Sequence, residues 1–163
     1  MYGQAMINCI VAVERNQGIG FEGQMPWPHL KGDMQWFKQM TTGNVVIMGS
    51  TTYDSLGKSL PNRVNIVISG KRELGDHTFT DCGSALDYCS IEYPDKEIFI
   101  IGGSAIYESY LDIIDRFYVT EIDANYQCDK FFDLTYVQTH FTKVTERATF
   151  NEPIKYTIKE YNL

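Results

Sequence analysis

Four short apolar runs constrain this chain more than anything else in it: Met6–Val13, Val45–Gly49, Val64–Ser69 and Glu97–Ile101. Apolar residues in succession, rather than at alternate positions, suit strands buried on both faces, as in a parallel sheet. Helical spacing lies between the runs. Leu30, Met34, Phe37 and Met40 recur at intervals of three and four, and Pro26 and Pro28 keep that helix from starting before His29. Ser50–Leu56 reads as a short helix stopped by Gly57, Ser84–Ile91 as another, and Gly102-Gly103 opens a third that reaches about Asp112. Thr78–Thr80 is a weaker strand and Arg116–Ile122 a strong one. Beyond it the period changes. His140–Phe150 and Ile154–Tyr161 alternate apolar and polar residues around Asn151-Glu152-Pro153, which predicts an antiparallel hairpin. The expectation is an α/β fold, one domain over 1–163. It has a mixed, mainly parallel central sheet of about eight strands, helices on both faces and a C-terminal antiparallel hairpin.

A chain of 163 residues can bury a substantial core, and its net charge of −7 argues against nonspecific nucleic-acid binding. In so acidic a chain any anionic ligand depends on a few placed cations. Cys9, Cys82, Cys89 and Cys128 have no metal-type spacing, and Cys9 and Cys89 sit where core packing is expected. His29, His77 and His140 do not cluster, so no metal site is expected. With no apolar run long enough for a membrane span and no cationic leader before the first run, a soluble cytoplasmic protein is the expectation.

Gly18-Ile19-Gly20-Phe21-Glu22-Gly23 spells a dinucleotide fingerprint, but Met25-Pro26-Trp27-Pro28 follows it where a helix would have to start. A mobile loop with Met25 at its tip, able to close over a ligand, is the better physical reading. Phosphate is better suited elsewhere. Gly49-Ser50-Thr51-Thr52 and Gly102-Gly103-Ser104 each join a buried strand to a helix start, and Ser69-Gly70-Lys71-Arg72 ends a third strand. Asp33 falls on the apolar side of the first helix, among Trp27, Trp36 and Phe37, where poor solvation raises a carboxyl pKa. Leu56 and Leu60 form an apolar shelf ending at Arg63, a residue suited to bidentate carboxylate recognition.

In this order, Ile19–Trp27, Asp33–Phe37, Val46–Gly49, Leu60–Arg63 and Ile101–Gly103, with Tyr107 and Val119–Glu121, resemble the dihydrofolate reductases over nearly the whole chain from Met6. The resemblance implies NADPH-dependent reduction of dihydrofolate to tetrahydrofolate by a monomer, with methotrexate or trimethoprim as inhibitors. It implies that Asp33 receives the pterin and promotes protonation of the imine nitrogen, that Thr120 hydrogen-bonds that carboxylate and that Trp27 holds a site water, with Met25 beside the reacting rings. Ile10, Met34, Phe37, Leu56, Leu60 and Ile101 would pack on the substrate, and Arg63 would take its glutamate α-carboxylate. Ala12, Ile19, Gly20, Met25, the turns from Gly49 to Thr52 and from Ser69 to Arg72, and Ile101, Gly102, Gly103, Ser104, Ala105, Ile106 and Tyr107 would line the cofactor. Ser50 and Ala105 stand where bacterial members often carry arginine, so Lys71 and Arg72 are the expected cations for the cofactor's ribose phosphate. A related pteridine or pyrimidine reductase would share the fold without needing Arg63. A non-catalytic nucleotide-binding module would not need a carboxylate among aromatics.

Overall fold

The computed structural model describes residues 5–163; the one-domain expectation also covers residues 1–4, which lie outside the described residues. The chain runs β1 (Ile7–Val13), β2 (Gly18–Gly20), α1 (Lys31–Thr41), β3 (Val45–Gly49), α2 (Ser50–Leu56), β4 (Val64–Ile68), β5 (His77–Phe79) and α3 (Cys82–Glu92). It continues through β6 (Ile98–Ile100), α4 (Ser104–Tyr110) with a 3-10 turn (Leu111–Ile113), β7 (Arg116–Ile122), β8 (Lys130–Phe131), α5 (Leu134–His140), β9 (Lys143–Phe150) and β10 (Tyr156–Asn162). The eight-stranded sheet has the order β5-β4-β3-β6-β1-β7-β10-β9, and β2 pairs with β8 apart from it. This is the mixed, mainly parallel α/β architecture predicted from the sequence.

Contacts divide the chain into two compact units, one holding Thr41–Ile114 with the residues up to Asn8, the other Cys9–Met40 with Asp115–Leu163. In the first, β3 pairs in parallel with β4 and with β6, and β4 with β5. Val45, Val46, Ile47, Met48, Ile66, Val67, Ile98, Phe99 and Ile100 are buried in succession, as their apolar runs require. Each contributes roughly 1.5–3 kcal/mol of burial. Gly57 ends α2 in the left-handed region at φ 78°, where its N–H reaches the Tyr53 and Asp54 carbonyls. Helix α3 starts two residues before the expected Ser84, because the Asp81 side chain caps it by accepting from the Ser84 N–H at 2.8 Å.

In the second unit β10 pairs antiparallel with both β7 and β9, so the predicted hairpin is present. Tyr156, Ile158 and Tyr161 are buried along β10. The spacing lengthens from two to three where a register shift falls between Ile158 and Lys159. The strand expected from His140 starts only at Lys143, because His140 closes α5, a helix that the alternating pattern concealed. Asp133 caps that helix by accepting from the Tyr136 N–H at 3.0 Å, and Leu134 and Val137 bury its inner face.

The start of α1 is fixed by a close approach. Gly32 N–H donates to Tyr156 Oη at 3.1 Å, and the Phe150 and Tyr156 rings stack with centroids 4.9 Å apart. A Cβ on Gly32 would lie 2.5 Å from Phe150 Cε1 and 2.7 Å from Tyr156 Oη. Gly32→Ala should therefore lower stability by about 1–3 kcal/mol through overpacking, read by thermal unfolding. Phe150→Leu in the same chain should restore part of the loss, and an unchanged Tm for Gly32→Ala would contradict the contact.

Candidate active site

Asp33 lies in the first turn of α1, directly after the Gly32–Tyr156 contact. Its Oδ1 accepts a hydrogen bond of 2.5 Å from Thr120 Oγ1, on β7, the strand that pairs antiparallel with β10. Burial pushes the Asp33 carboxyl above its ordinary value of 3.8, and the Thr120 hydroxyl, which favours the ionised form, pulls it partway back. The result is an acid that holds its proton more firmly than a surface aspartate. One oxygen is committed to the protein.

The aromatic residues around α1 divide by role. Trp27 is buried in a cluster with Leu30, Ile122 and Tyr156, against which Ala12 and Tyr126 pack. Trp36 meets the edge of Tyr118 at 5.7 Å, and the Arg147 guanidinium lies 5.6 Å from the centre of its ring. Those contacts hold the helix against β7 and β9. Of the predicted apolar face only Leu30 is buried; Phe37 and Met40 are half-buried, and Met34 is 44% exposed. Ile10 is buried on β1. Ile19 and Gly20 belong to β2, where a helix would have to follow for a dinucleotide fingerprint, and Met25 is 57% exposed.

The other candidate residues belong to the first unit. Because β4, β3 and β6 are adjacent and parallel, the turns at Ser69–Arg72, Gly49–Thr52 and Ile101–Ser104 emerge at neighbouring carboxyl ends, the usual ligand edge of an open α/β sheet. Gly49 N–H donates to the Gly102 carbonyl at 2.8 Å, and a Cβ on Gly49 would lie 3.0 Å from the Ile106 side chain. Gly102, at φ 113°, brings its backbone so near the buried Tyr107 ring that a Cβ would lie 3.1 Å from it. Ser50 and Thr52 are half-buried and Thr51 and Ala105 exposed. Arg72 forms an ion pair with Asp54 at 2.8 Å, both exposed, whereas Lys71 has no ion-pair partner among the described residues. Arg63 is half-buried. It donates through Nε to the Pro61 carbonyl at 2.9 Å and through Nη1 to Thr41 Oγ1 at 3.1 Å, and it has no carboxylate partner among the described residues. Leu56 is exposed and Leu60 half-buried.

The hydrogen bond between Thr120 and Asp33 that the resemblance implies is present, and what seats it was missed: Tyr156, Phe150, Tyr118 and Arg147. The aromatic residues carry a strand signal, but their hydroxyl and ring contacts with a helix about a hundred residues away leave no local pattern.

The family model for dihydrofolate reductase matches residues 6–163. Dihydrofolate reductases are also similar over most of the chain. That of Haemophilus influenzae is 41% identical over 124 residues, 76% of each chain. That of Bacillus subtilis is 36% identical over 127 residues, 78% of this chain and 75% of the other. That of Staphylococcus aureus is 33% identical over 126 residues, 77% of each. The chain belongs to the dihydrofolate reductase family, and the protein is an oxidoreductase.

The raised Asp33 value carries a stability consequence. The fold favours the protonated acid, so its contribution is complete below the unfolded value of 3.8 and is lost as pH rises through the higher folded value. Asp33→Asn, which stays neutral, should melt above the wild type at about pH 7, with the gap closing as pH falls toward about 4. Thermal melts across that range test it; a constant gap, or a lower Tm at neutral pH, would contradict it.

Proposed function

We propose that the protein reduces dihydrofolate to tetrahydrofolate with NADPH, acting as a monomer of one domain in the cytoplasm. The Asp33–Thr120 pair carries the reading: it combines a raised carboxyl, one oxygen already tied, and the exposed Met34 next to it in α1.

In this role the second oxygen of Asp33 accepts from the pterin's ring amide and exocyclic amine and orients the ring. A carboxyl whose pKa burial raises favours delivery of a proton to the imine nitrogen, directly or through water. Trp27 holds a site water. Ile10, Met34, Phe37, Leu56, Leu60 and Ile101 supply apolar contact, and Arg63 takes the glutamate α-carboxylate with donors that no protein carboxylate occupies among the described residues.

The turns at the ends of β3, β4 and β6 suit a dinucleotide, because they lie at neighbouring carboxyl ends of parallel strands and pack closely at Gly49 and Gly102. Ser50, Thr51, Thr52, Ser69, Gly70 and Ser104 offer hydroxyls and amides to phosphate. Ala12, Ile19, Gly20, Met25, Ile101, Ala105, Ile106 and Tyr107 line the remainder. Lys71 is the better placed cation for the ribose phosphate, since Arg72 already faces Asp54. Bound NADPH supplies the hydride.

The direct test is loss of NADPH absorbance with dihydrofolate, blocked by methotrexate or trimethoprim; no oxidation by folded protein would overturn the proposal. Asp33→Asn should lower turnover by about 10²–10⁴ at neutral pH. Arg63→Leu should weaken dihydrofolate binding by roughly 1.5–3 kcal/mol and leave a pterin without the glutamate tail unaffected. Equal loss on both substrates would make Arg63 structural.

A further inference from the structure

Glu14 is a buried acid, 2% exposed, with no part in the chemistry proposed above. It follows β1 at the start of the segment leading to Met25 and Trp27. Its Oε2 accepts from the Asn16 and Gly18 N–H groups, each at 2.7 Å. The backbone closes the same turn, from Glu14 N–H to the Gly18 carbonyl and from Gln17 N–H to the Glu14 carbonyl, each at 3.0 Å. Its other oxygen, Oε1, accepts from the N–H of Tyr126 at 3.1 Å, in a segment far away in sequence. One carboxylate therefore satisfies three backbone donors in two stretches of chain. An unmade hydrogen bond at such a site costs more than a made one contributes, so the arrangement is stiff.

The junction is also close-packed. A Cβ on Gly18 would lie 2.2 Å from Cys128 Sγ. The Cys128 thiol is pushed up first by burial and then by the neighbouring Glu14 charge. Tyr126 carries the effect onward: its ring meets Trp27 edge-on, with centroids 6.3 Å apart, and Trp27 packs on Leu30, the residue before α1.

We propose that Glu14 is a positioning residue: it holds the Tyr126 backbone by one oxygen, and Tyr126 in turn sets the indole of Trp27. The consequence for turnover rests on the function proposed above, where Trp27 holds the site water; the structural consequence does not. The two oxygens have separate jobs, so the isosteric amide discriminates between them. In Glu14→Gln a single oxygen remains. Turned toward Asn16 and Gly18, it keeps the local turn and presents an amide N–H₂ to the Tyr126 donor.

The experiment is amide hydrogen exchange with a Trp27 indole NMR signal, on wild type, Glu14→Gln and Tyr126→Ala, well below each melting temperature. In Glu14→Gln the Tyr126 amide should exchange about ten-fold faster while Asn16 and Gly18 keep their protection, and the Trp27 signal should shift. Tyr126→Ala keeps the N–H but lacks the ring, and should shift the Trp27 signal with the Gly18 amide unaltered. Steady-state kcat should fall about three- to ten-fold in both variants at little cost in KM, and the double variant should be no worse than Tyr126→Ala, as for two groups on one path. A Tyr126 amide still protected in Glu14→Gln would overturn the proposal, as would an unmoved Trp27 signal in Tyr126→Ala. Additive losses in the double variant would also overturn it. Should Glu14→Gln fail to fold, amide exchange in the wild type decides for Glu14, where an unprotected Tyr126 amide would overturn the proposal, and Tyr126→Ala decides for the ring contact. If the wild type has no dihydrofolate reductase activity, the exchange and indole readouts still decide the positioning claim.

Discussion

A hydrogen bond of 2.5 Å from Thr120 to Asp33 fixes one oxygen of a carboxyl group that burial already disposes to stay protonated. The two effects oppose each other. Desolvation penalises the charge on Asp33, and the hydroxyl favours it. Because desolvation is the larger, the site holds a weak acid whose orientation is set by the protein and whose second oxygen is available to a ligand. Removing the hydroxyl would leave an acid weaker still and free to rotate. Removing the burial would leave an ordinary surface aspartate.

That balance depends on how closely α1 rests on the antiparallel strands. Tyr156 Oη meets the first turn of the helix at Gly32, where hydrogen is the only side chain that fits. One turn later Trp36 lies between Tyr118 and Arg147, and Arg147 is itself held by Glu160 at 2.8 Å. Thr120 sits on β7 opposite Ile158 of β10, with hydrogen-bonded neighbours that leave its strand little freedom. A one-residue slip of β7 would turn Thr120 to the opposite face and put Val119 or Glu121 before the helix. Tyr161 Oη and Lys159 Nζ hold Glu121 in place at 2.5 and 3.2 Å, an arrangement such a slip would break.

Val45–Gly49 was legible because burial on both faces leaves an unbroken apolar signature, and Arg116–Ile122 also appears with the bounds read from sequence. Helix α5 was not legible, since its end at His140 merges with an alternating pattern. The same distinction runs through the site. Asp33 was legible from the apolar and aromatic residues around it, whereas Thr120 came only from the family resemblance. Met34 was placed with Leu30 by spacing alone, and spacing does not reveal that it is 44% exposed. Glu14 had no chance of being read, because its three partners are backbone amides, which every residue but proline carries. The Arg72–Asp54 pair was hidden for a related reason: two exposed charges eighteen residues apart show no periodicity.

The most direct measurement of the central claim is a carbon-13 NMR titration of the Asp33 carboxyl in the free protein, wild type beside Thr120→Val. The account predicts a wild-type midpoint above the ordinary 3.8 and a higher one in Thr120→Val, where burial remains and the hydroxyl's opposing influence is gone. A wild-type midpoint at or below the ordinary value, or one that falls when the hydroxyl is removed, would contradict it.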